Sequence, residues 1–215
     1  MRLTDFCNQT GRPKDYSRSR IAKEADEQIA SLKVRVNRNA LGVKGITEDV
    51  RRDINAALQK LNTEYRVGFD EAITRRRKDP LIMFETGVHM RAGNPVIPFI
   101  INADCDYEYQ LARAEALYQR GWFTERTTED YVAHEDAHAM LFQGCKNRAE
   151  IDAVLAEVNQ HWDVLRDVSR YAHRAPYEDR GAEALAEAFV RVRNGEKVSK
   201  DVAALVEHYY GGFKR

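Results

Sequence analysis

Residues 127–142 read TTEDYVAHEDAHAMLF, and this stretch decides how the rest of the chain can be arranged. Two threonines offer a hydroxyl cap, and the acids that follow them suit the positive end of a helix dipole. No glycine or proline interrupts the run, and Gly144 then gives a stop signal. The stretch therefore predicts one helix that begins at the threonines and ends before Gly144.

The middle of this helix carries the pattern H-E-x-x-H, as His134-Glu135-Asp136-Ala137-His138. Residues four apart project from the same face of a helix, so the two imidazoles can bind one metal ion. Glu135 stands next to the first histidine and can take a proton from water, which makes it a candidate general base. The alternative is that both histidines are ordinary residues on the surface of an amphipathic helix.

A third ligand is needed, because catalytic zinc usually takes three protein ligands and keeps a fourth position for water. In the extended pattern H-E-x-x-H-x-x-G-x-x-H the third ligand would be a histidine. Leu141 and Gly144 occupy the positions of its glycine and its last histidine, so that pattern is excluded. Cys145 follows the helix and is a candidate ligand, although a small buried hydrophobic residue is the more ordinary interpretation.

The run Gly181–Phe189 offers carboxylates instead. Glu183 and Glu187 are four apart and share one face of a predicted helix, and the alternating alanines around them would let this helix approach a neighbour closely. We therefore expect Glu183 to be the third ligand. Glu187, one turn further on, is expected to accept a hydrogen bond from a ligand histidine and so fix its tautomer. The alternative is a solvated surface helix rich in alanine and glutamate.

Together the two motifs, H-E-x-x-H and E-x-x-A-E-x-F, resemble the gluzincin-type metallopeptidase domains of the anthrax lethal factor kind. The chain is most similar to the relatives found in phage and prophage minor head (head-morphogenesis) proteins and in toxin-like polypeptides. Those relatives often carry S-x-Y-A shortly before the glutamate helix, and this chain has Ser169-Arg170-Tyr171-Ala172 there. The resemblance covers roughly residues 81–192.

The resemblance implies a zincin-like fold, a bound Zn²⁺ and a role for each matching residue. His134, His138 and Glu183 would be the ligands, Glu135 the base and Glu187 the residue that supports a ligand. Tyr171 matches the tyrosine that stabilises the oxyanion, and Tyr177 is a second candidate because the stretch before Glu183 looks longer than usual. A further departure is Asp136-Ala137, where the family commonly has an apolar residue and then glycine.

The expected function is therefore that of a zinc-dependent endopeptidase acting on a protein or peptide substrate. The resemblance further implies an association with phage or prophage, with phage structural proteins as partners and a location in the cytoplasm of a bacterial host or in the virion. The alternative is a non-catalytic, zinc-stabilised structural or assembly protein of a phage head. A toxin role would share the chemistry of the first hypothesis.

Composition limits the other classes of function. The 215 residues include 34 basic and 34 acidic side chains, so the formal net charge is zero and gives no strong case for nucleic acid or an anionic membrane. No apolar run approaches the length of a membrane span, and the N-terminus lacks the apolar core of a signal peptide. Three cysteines without C-x-x-C spacing suit reduced thiols in a cytosol.

The order of predicted elements gives an α+β fold. We predict a loose arm over residues 1–14, N-terminal helices over 15–37 and from Thr47 onwards, and a domain boundary that divides 1–64 from a zincin-like metallopeptidase domain over 65–215. A small mixed β-sheet is expected before the helix that carries H-E-x-x-H. Its strands are predicted over residues 66–73, 81–85 and 96–102.

Helices are predicted over residues 106–120, 149–164 and 201–210, which makes the C-terminal part mainly helical. Pro98 removes a hydrogen-bond donor from the strand Val96–Asn102, so that strand is predicted to lie at an edge of the sheet or to bulge there. An edge strand is where an extended peptide substrate can pair. The alternative is an internal strand with a bulge at Pro98.

Overall fold

The computed structural model describes residues 48–76, 82–105 and 107–215, together with the backbone of Arg35 and Val36. The predicted arm over residues 1–14 lies outside the described residues. So does the helix predicted over residues 15–37, except at its end, where Arg35–Val36 forms strand β1 and that part of the prediction is wrong. These two residues pair in parallel with another strand, and such non-local pairing overrides a local helical pattern.

Seven α-helices account for most of the regular structure in the described residues. They are α1 (Glu48–Glu64), α2 (Tyr107–Gln119), α3 (Thr128–Phe142), α4 (Arg148–Gln160), α5 (Trp162–Leu165), α6 (Arg180–Arg193) and α7 (Lys200–Tyr210). Two short 3₁₀-helices cover Ala172–Arg174 and Gly211–Phe213. Within the described ranges, no helix combines the length and the apolar composition needed to cross a membrane.

The strands after β1 all lie between α1 and α2. They are β2 (Glu71–Arg75), β3 (Phe84–Thr86), β4 (His89–Arg91), β5 (Asn94–Val96) and β6 (Pro98–Asn102). Four of them form a mixed sheet in the order β1-β2-β6-β3, in which only the β6–β3 pair is antiparallel, and β4 pairs with β5 in a separate hairpin. The α+β class with a small mixed sheet is confirmed.

Strand β6 is internal, so the prediction that Val96–Asn102 forms an edge is wrong. It pairs in parallel with β2 on one side and antiparallel with β3 on the other. Pro98 is the first residue of β6, a position at which a strand tolerates a missing N–H without lying at an edge. Among the described strands, β3 is instead the last strand on that side of the sheet, and its three residues are buried.

The strands β2 and β3 begin later than the sequence predicted. Before β2, Arg66 N–H donates to the carbonyl of Phe213 rather than to the sheet, and Phe69 is buried in the core. Hydrogen bonding to the segment that leads into β6 starts at Asp70, whose carboxylate accepts a hydrogen bond of 2.7 Å from the Ile97 N–H. Contacts with distant segments, which a local pattern does not reveal, therefore set where β2 begins.

Helix α3 lies at the centre of the molecule, between α1 and α6 and against β3. One apolar cluster includes residues from all four elements, among them Leu58, Phe84, Met140 and Phe189. Helix α1 precedes the boundary predicted at residue 64, yet it shares this core. Ion pairs add to the contact, since Arg193 of α6 contacts both Glu64 of α1 and Glu129 of α3.

The helical C-terminal part agrees closely with the prediction, with one correction. The single helix predicted over residues 149–164 is two helices, because the backbone leaves the helical conformation at His161 (φ −91°, ψ 11°). The new direction of α5 places Leu165 fully inside the core while Val164 remains 37% exposed. The predicted helices over residues 106–120 and 201–210 are confirmed as α2 and α7.

Candidate metal centre

Helix α3 begins and ends as its sequence predicts. The Thr127 side chain accepts from the Asp130 N–H while the Asp130 carboxylate accepts from the Thr127 N–H, which is a reciprocal capping box. Gly144, with φ at +97°, follows the last turn in the left-handed conformation that favours glycine. Every residue from Val132 to Phe142 is buried. The two histidines therefore lie inside the protein, and the surface-histidine alternative is wrong.

Helix α6 packs against α3, and its small residues are buried. The alanines of the run are almost completely buried, at Ala182, Ala184, Ala186 and Ala188. The start of α6 also fits closely against α4, because the Gly181 N–H donates to Asn159 Oδ1 at 2.9 Å. The alternative of a solvated surface helix is therefore wrong. Glu183, in the first turn of α6, lies next to the histidines of α3.

Three potential ligand atoms converge in this interior. His134 Nε2 lies 3.1 Å from His138 Nε2 and 3.2 Å from Glu183 Oε2, and His138 Nε2 lies 3.6 Å from the same oxygen. Bonds of about 2.0–2.1 Å to a tetrahedral ion would separate two ligand atoms by about 3.3 Å. The three side chains predicted as ligands thus lie close enough together to hold one metal ion.

The hydrogen-bond partner of His134 is a residue that sequence reasoning missed. Glu125, in the loop before α3, accepts a hydrogen bond of 2.7 Å from His134 Nδ1. Glu187 was expected to accept this hydrogen bond. That expectation is wrong, because Glu125 is the direct partner of His134. No spacing rule connects a loop glutamate with a histidine nine positions later. The available signal was only an acidic residue just before the helix cap.

Glu187 lies next to this pair, completely buried. Its Oε2 accepts a hydrogen bond of 2.8 Å from the Thr124 N–H, in the same loop as Glu125. One oxygen of Glu187, one of Glu125 and one ring nitrogen of His134 all lie within 4.8 Å of one another. Burial and the neighbouring charge of Glu125 raise the pKa of Glu187 well above its usual value.

The charges around His134 favour a cation between the two histidines and the glutamates. Burial alone would lower the pKa of His134, but Glu125 and Glu183 on its two sides raise it well above the usual value. For Glu183 the signs are reversed: burial alone would raise the pKa of its carboxyl, but the two histidines lower it. A proton or a metal ion would be stabilised at the same place.

Glu135 is next to His134 in α3, a helix that also packs against strand β3. It is buried, and burial raises the pKa of its carboxyl, although the two histidines oppose this rise. The hydroxyl of Thr86, on strand β3, is close enough to favour the ionised form. The candidate base is therefore influenced both by the two histidines and by a residue of strand β3.

Of the two candidate tyrosines, the structure brings Tyr171 to the cluster. Its N–H donates to the Trp122 carbonyl at 2.9 Å, and its ring packs 4.8 Å from that of Phe123. The charge of Glu183, followed by burial, raises the pKa of Tyr171 well above its usual value. Tyr177 is 70% exposed and packs against the Arg180 guanidinium at the surface, outside the cluster.

Asp136 and Cys145 do not join the ligand atoms. Asp136 is buried, and burial raises the pKa of its carboxyl well above the usual value while Arg193 opposes the rise. Cys145 is half-buried against the apolar core, and it belongs to neither of the two groups of potential metal ligands among the described residues. Asp136 likewise belongs to neither group.

Comparison with known proteins adds no family assignment. No protein-family model matches the chain, and no curated protein and no solved structure gives a significant match. Function is therefore inferred from the arrangement of the side chains themselves.

Proposed function

We propose that the protein is a zinc-dependent endopeptidase. The observation that carries the proposal is the triangle of ligand atoms from His134, His138 and Glu183, with Glu135 beside it. Two imidazoles and one carboxylate with an open fourth position are the ligand set of catalytic zinc in several peptidases, whereas structural zinc sites usually have four protein ligands. Zinc, when bound, would make a water molecule acidic enough to attack at neutral pH and would polarise a carbonyl oxygen.

The residues of the chain then have distinct tasks in hydrolysis. Glu135 would take a proton from the attacking water and donate it to the nitrogen of the leaving amine, so its carboxylate is regenerated in each cycle. A raised pKa suits this task, because the carboxyl must both accept and release a proton near neutral pH. The phenol of Tyr171, kept neutral by its raised pKa, would donate a hydrogen bond to the carbonyl oxygen as negative charge develops there.

Strand β3 replaces Val96–Asn102 as the proposed binding edge for substrate. Asn102 N–H donates to the Met83 carbonyl, so by the alternation of antiparallel pairing Glu85 is the next residue bonded to β6. The backbone groups of Phe84 and Thr86 then face away from β6. An extended peptide pairing with them would run near Glu135, whose pKa the Thr86 hydroxyl lowers against the larger effect of burial.

The test compares the wild type with Glu135→Gln, which keeps size and hydrogen bonding but removes the base. Both proteins should bind zinc, and the variant should lose roughly 10²–10⁴-fold in peptide cleavage. Glu150→Gln, a change at an exposed glutamate that caps α4, is the matched control and should cleave like the wild type. Equal cleavage by Glu135→Gln would remove Glu135 as the base.

The second candidate function is a zinc-stabilised structural or assembly protein, which the deep burial of both histidines favours. Under this hypothesis Glu135→Gln leaves every property unchanged, since the metal only joins α3 to α6. An association with phage heads or a toxin role rests on the sequence resemblance alone, and both remain proposals.

A further inference from the structure

Glu125 controls the direction of one ligand histidine and not of the other. An ionised carboxylate only accepts, so the 2.7 Å contact places a proton on His134 Nδ1, and in the neutral ring the Nε2 lone pair then faces His138 and Glu183. His138 Nδ1 is buried, and in the described part of the chain it has no hydrogen-bond partner. The orientation of His138 thus depends on packing, while that of His134 depends on a charged hydrogen bond.

The loop that carries Glu125 is held from two other parts of the centre. Glu187 of α6 accepts from the Thr124 N–H at 2.8 Å, one residue before Glu125. The carbonyl of Trp122 accepts from the Tyr171 N–H at 2.9 Å. The loop over residues 122–125 therefore connects the ligand His134, the helix that carries Glu183 and the proposed oxyanion tyrosine.

A second cation beside Nδ1 is the other interpretation of this cluster. Glu125 Oε2 and Glu187 Oε1 are buried and have no hydrogen-bond partner among the described residues. The distance between His134 Nδ1 and Glu125 Oε1 argues against a shared ion, however. It is 2.7 Å, the length of a charged hydrogen bond, and two ligands of one tetrahedral ion would lie about 3.3 Å apart.

We propose that Glu125 is the positioning residue of the metal centre, which holds His134 in its metal-binding tautomer and is itself held in place by Glu187 through Thr124. This proposal deepens the metal site proposed above and rests on it. Partners of ligand histidines typically change metal affinity or activity by about 10–100-fold when they are removed. Glu187 acts one step further away, so its effect should pass through Glu125.

The test measures zinc affinity by competition with a chelator, without reference to peptidase activity. We expect Glu125→Ala to weaken zinc binding about 10–100-fold and Glu125→Gln, which can still accept from Nδ1–H, to weaken it less. Glu187→Ala should weaken it too, and the double variant should lose less than the sum of the two single losses. Asp136→Asn, a matched change at a buried carboxyl without a histidine contact, should keep the wild-type affinity.

The visible absorption spectrum of cobalt-loaded protein gives a second readout that a merely structural role would not change. A shifted spectrum is expected for folded Glu125→Gln, because a neutral partner makes the His134 ring a weaker donor to the metal. Wild-type zinc affinity and an unchanged spectrum in this variant would overturn the proposal, and so would two zinc ions per wild-type chain with one lost in Glu125→Ala. If the wild type binds no zinc, the proposed function fails. If the wild type binds zinc and the Glu125 variants bind it equally well, this inference fails and the proposed function stands.

Discussion

A single methyl group at Gly181 tests how α6 is seated. A Cβ atom at this position would lie 2.6 Å from Asn159 Oδ1 and 3.0 Å from both the Asn159 Cα and the Asn159 N. Two of these three atoms belong to the backbone of α4, so rotation of the Asn159 side chain cannot relieve the contact. We therefore expect Gly181→Ala to push the start of α6 away from α4, two residues before the proposed ligand Glu183.

The expected magnitude follows from three opposing effects. Overpacking against a fixed backbone costs about 1–3 kcal/mol. Loss of the hydrogen bond from the Gly181 N–H to Asn159 Oδ1 costs about 1 kcal/mol more. Against this, alanine is favoured over glycine inside a helix by about 1 kcal/mol, and less in the first turn. The clash wins, and we expect a net destabilisation of about 1–3 kcal/mol.

The assay is urea unfolding of the metal-free and the zinc-loaded protein, followed by measurement of zinc affinity. Gly181→Ala should unfold at lower urea in both states and should bind zinc more weakly, since Glu183 moves with the start of α6. Gly211→Ala is the control, because the atoms that its Cβ would meet belong to the flexible, exposed side chain of Glu207. A Gly181→Ala protein more stable than the wild type would show that helix propensity outweighs the contact and that α6 is not tightly seated on α4.

Three further predictions concern charges and groups around the centre. Burial would raise the pKa of Glu129, but ion pairing with Lys60 and Arg193 outweighs burial and lowers it. Glu129→Gln should therefore reduce the free energy of unfolding at pH 7. In urea unfolding at a series of pH values, the difference from the wild type should vanish as the pH falls below the pKa of Glu129 in the folded protein. Tyr171→Phe should lower kcat on the order of 10²-fold with little change in KM, whereas Tyr177→Phe should cleave like the wild type in steady-state assays. Glu183→Ala should lose the zinc ion that the wild type carries, and full metal retention measured by elemental analysis would remove it as the third ligand.

The helices of the centre were predictable because their signals are local. The threonine cap, the uninterrupted run and Gly144 define α3 within a few residues of each other. The alanines around Glu183 indicated close approach to a partner helix, and in the structure they are buried in a helix that packs against α3. Since both motifs have fixed spacing on a helix, the ligand triangle required only that the two helices meet.

The strands and the partners of the ligands were less predictable because they depend on distant contacts. Pro98 removes one donor whether its strand lies at an edge or merely begins there, so the sequence did not distinguish the two. The role of Glu125 depends on the path of the loop before α3, and Glu187 was placed on the correct helix but bonds to Thr124 instead of a histidine. The exposure of Tyr177 likewise follows from the turn that leads into α6.

The most direct test of the central claim is a zinc titration of peptide cleavage. The protein is stripped with a chelator, mixed with a library of peptides and reconstituted with increasing zinc, and new peptide ends are counted by mass spectrometry. We expect cleavage to be absent without zinc, to rise until about one equivalent is bound and to be absent throughout for Glu135→Gln. Zinc bound at one equivalent with no peptide cut by the wild type, or equal cutting by Glu135→Gln, would contradict the account.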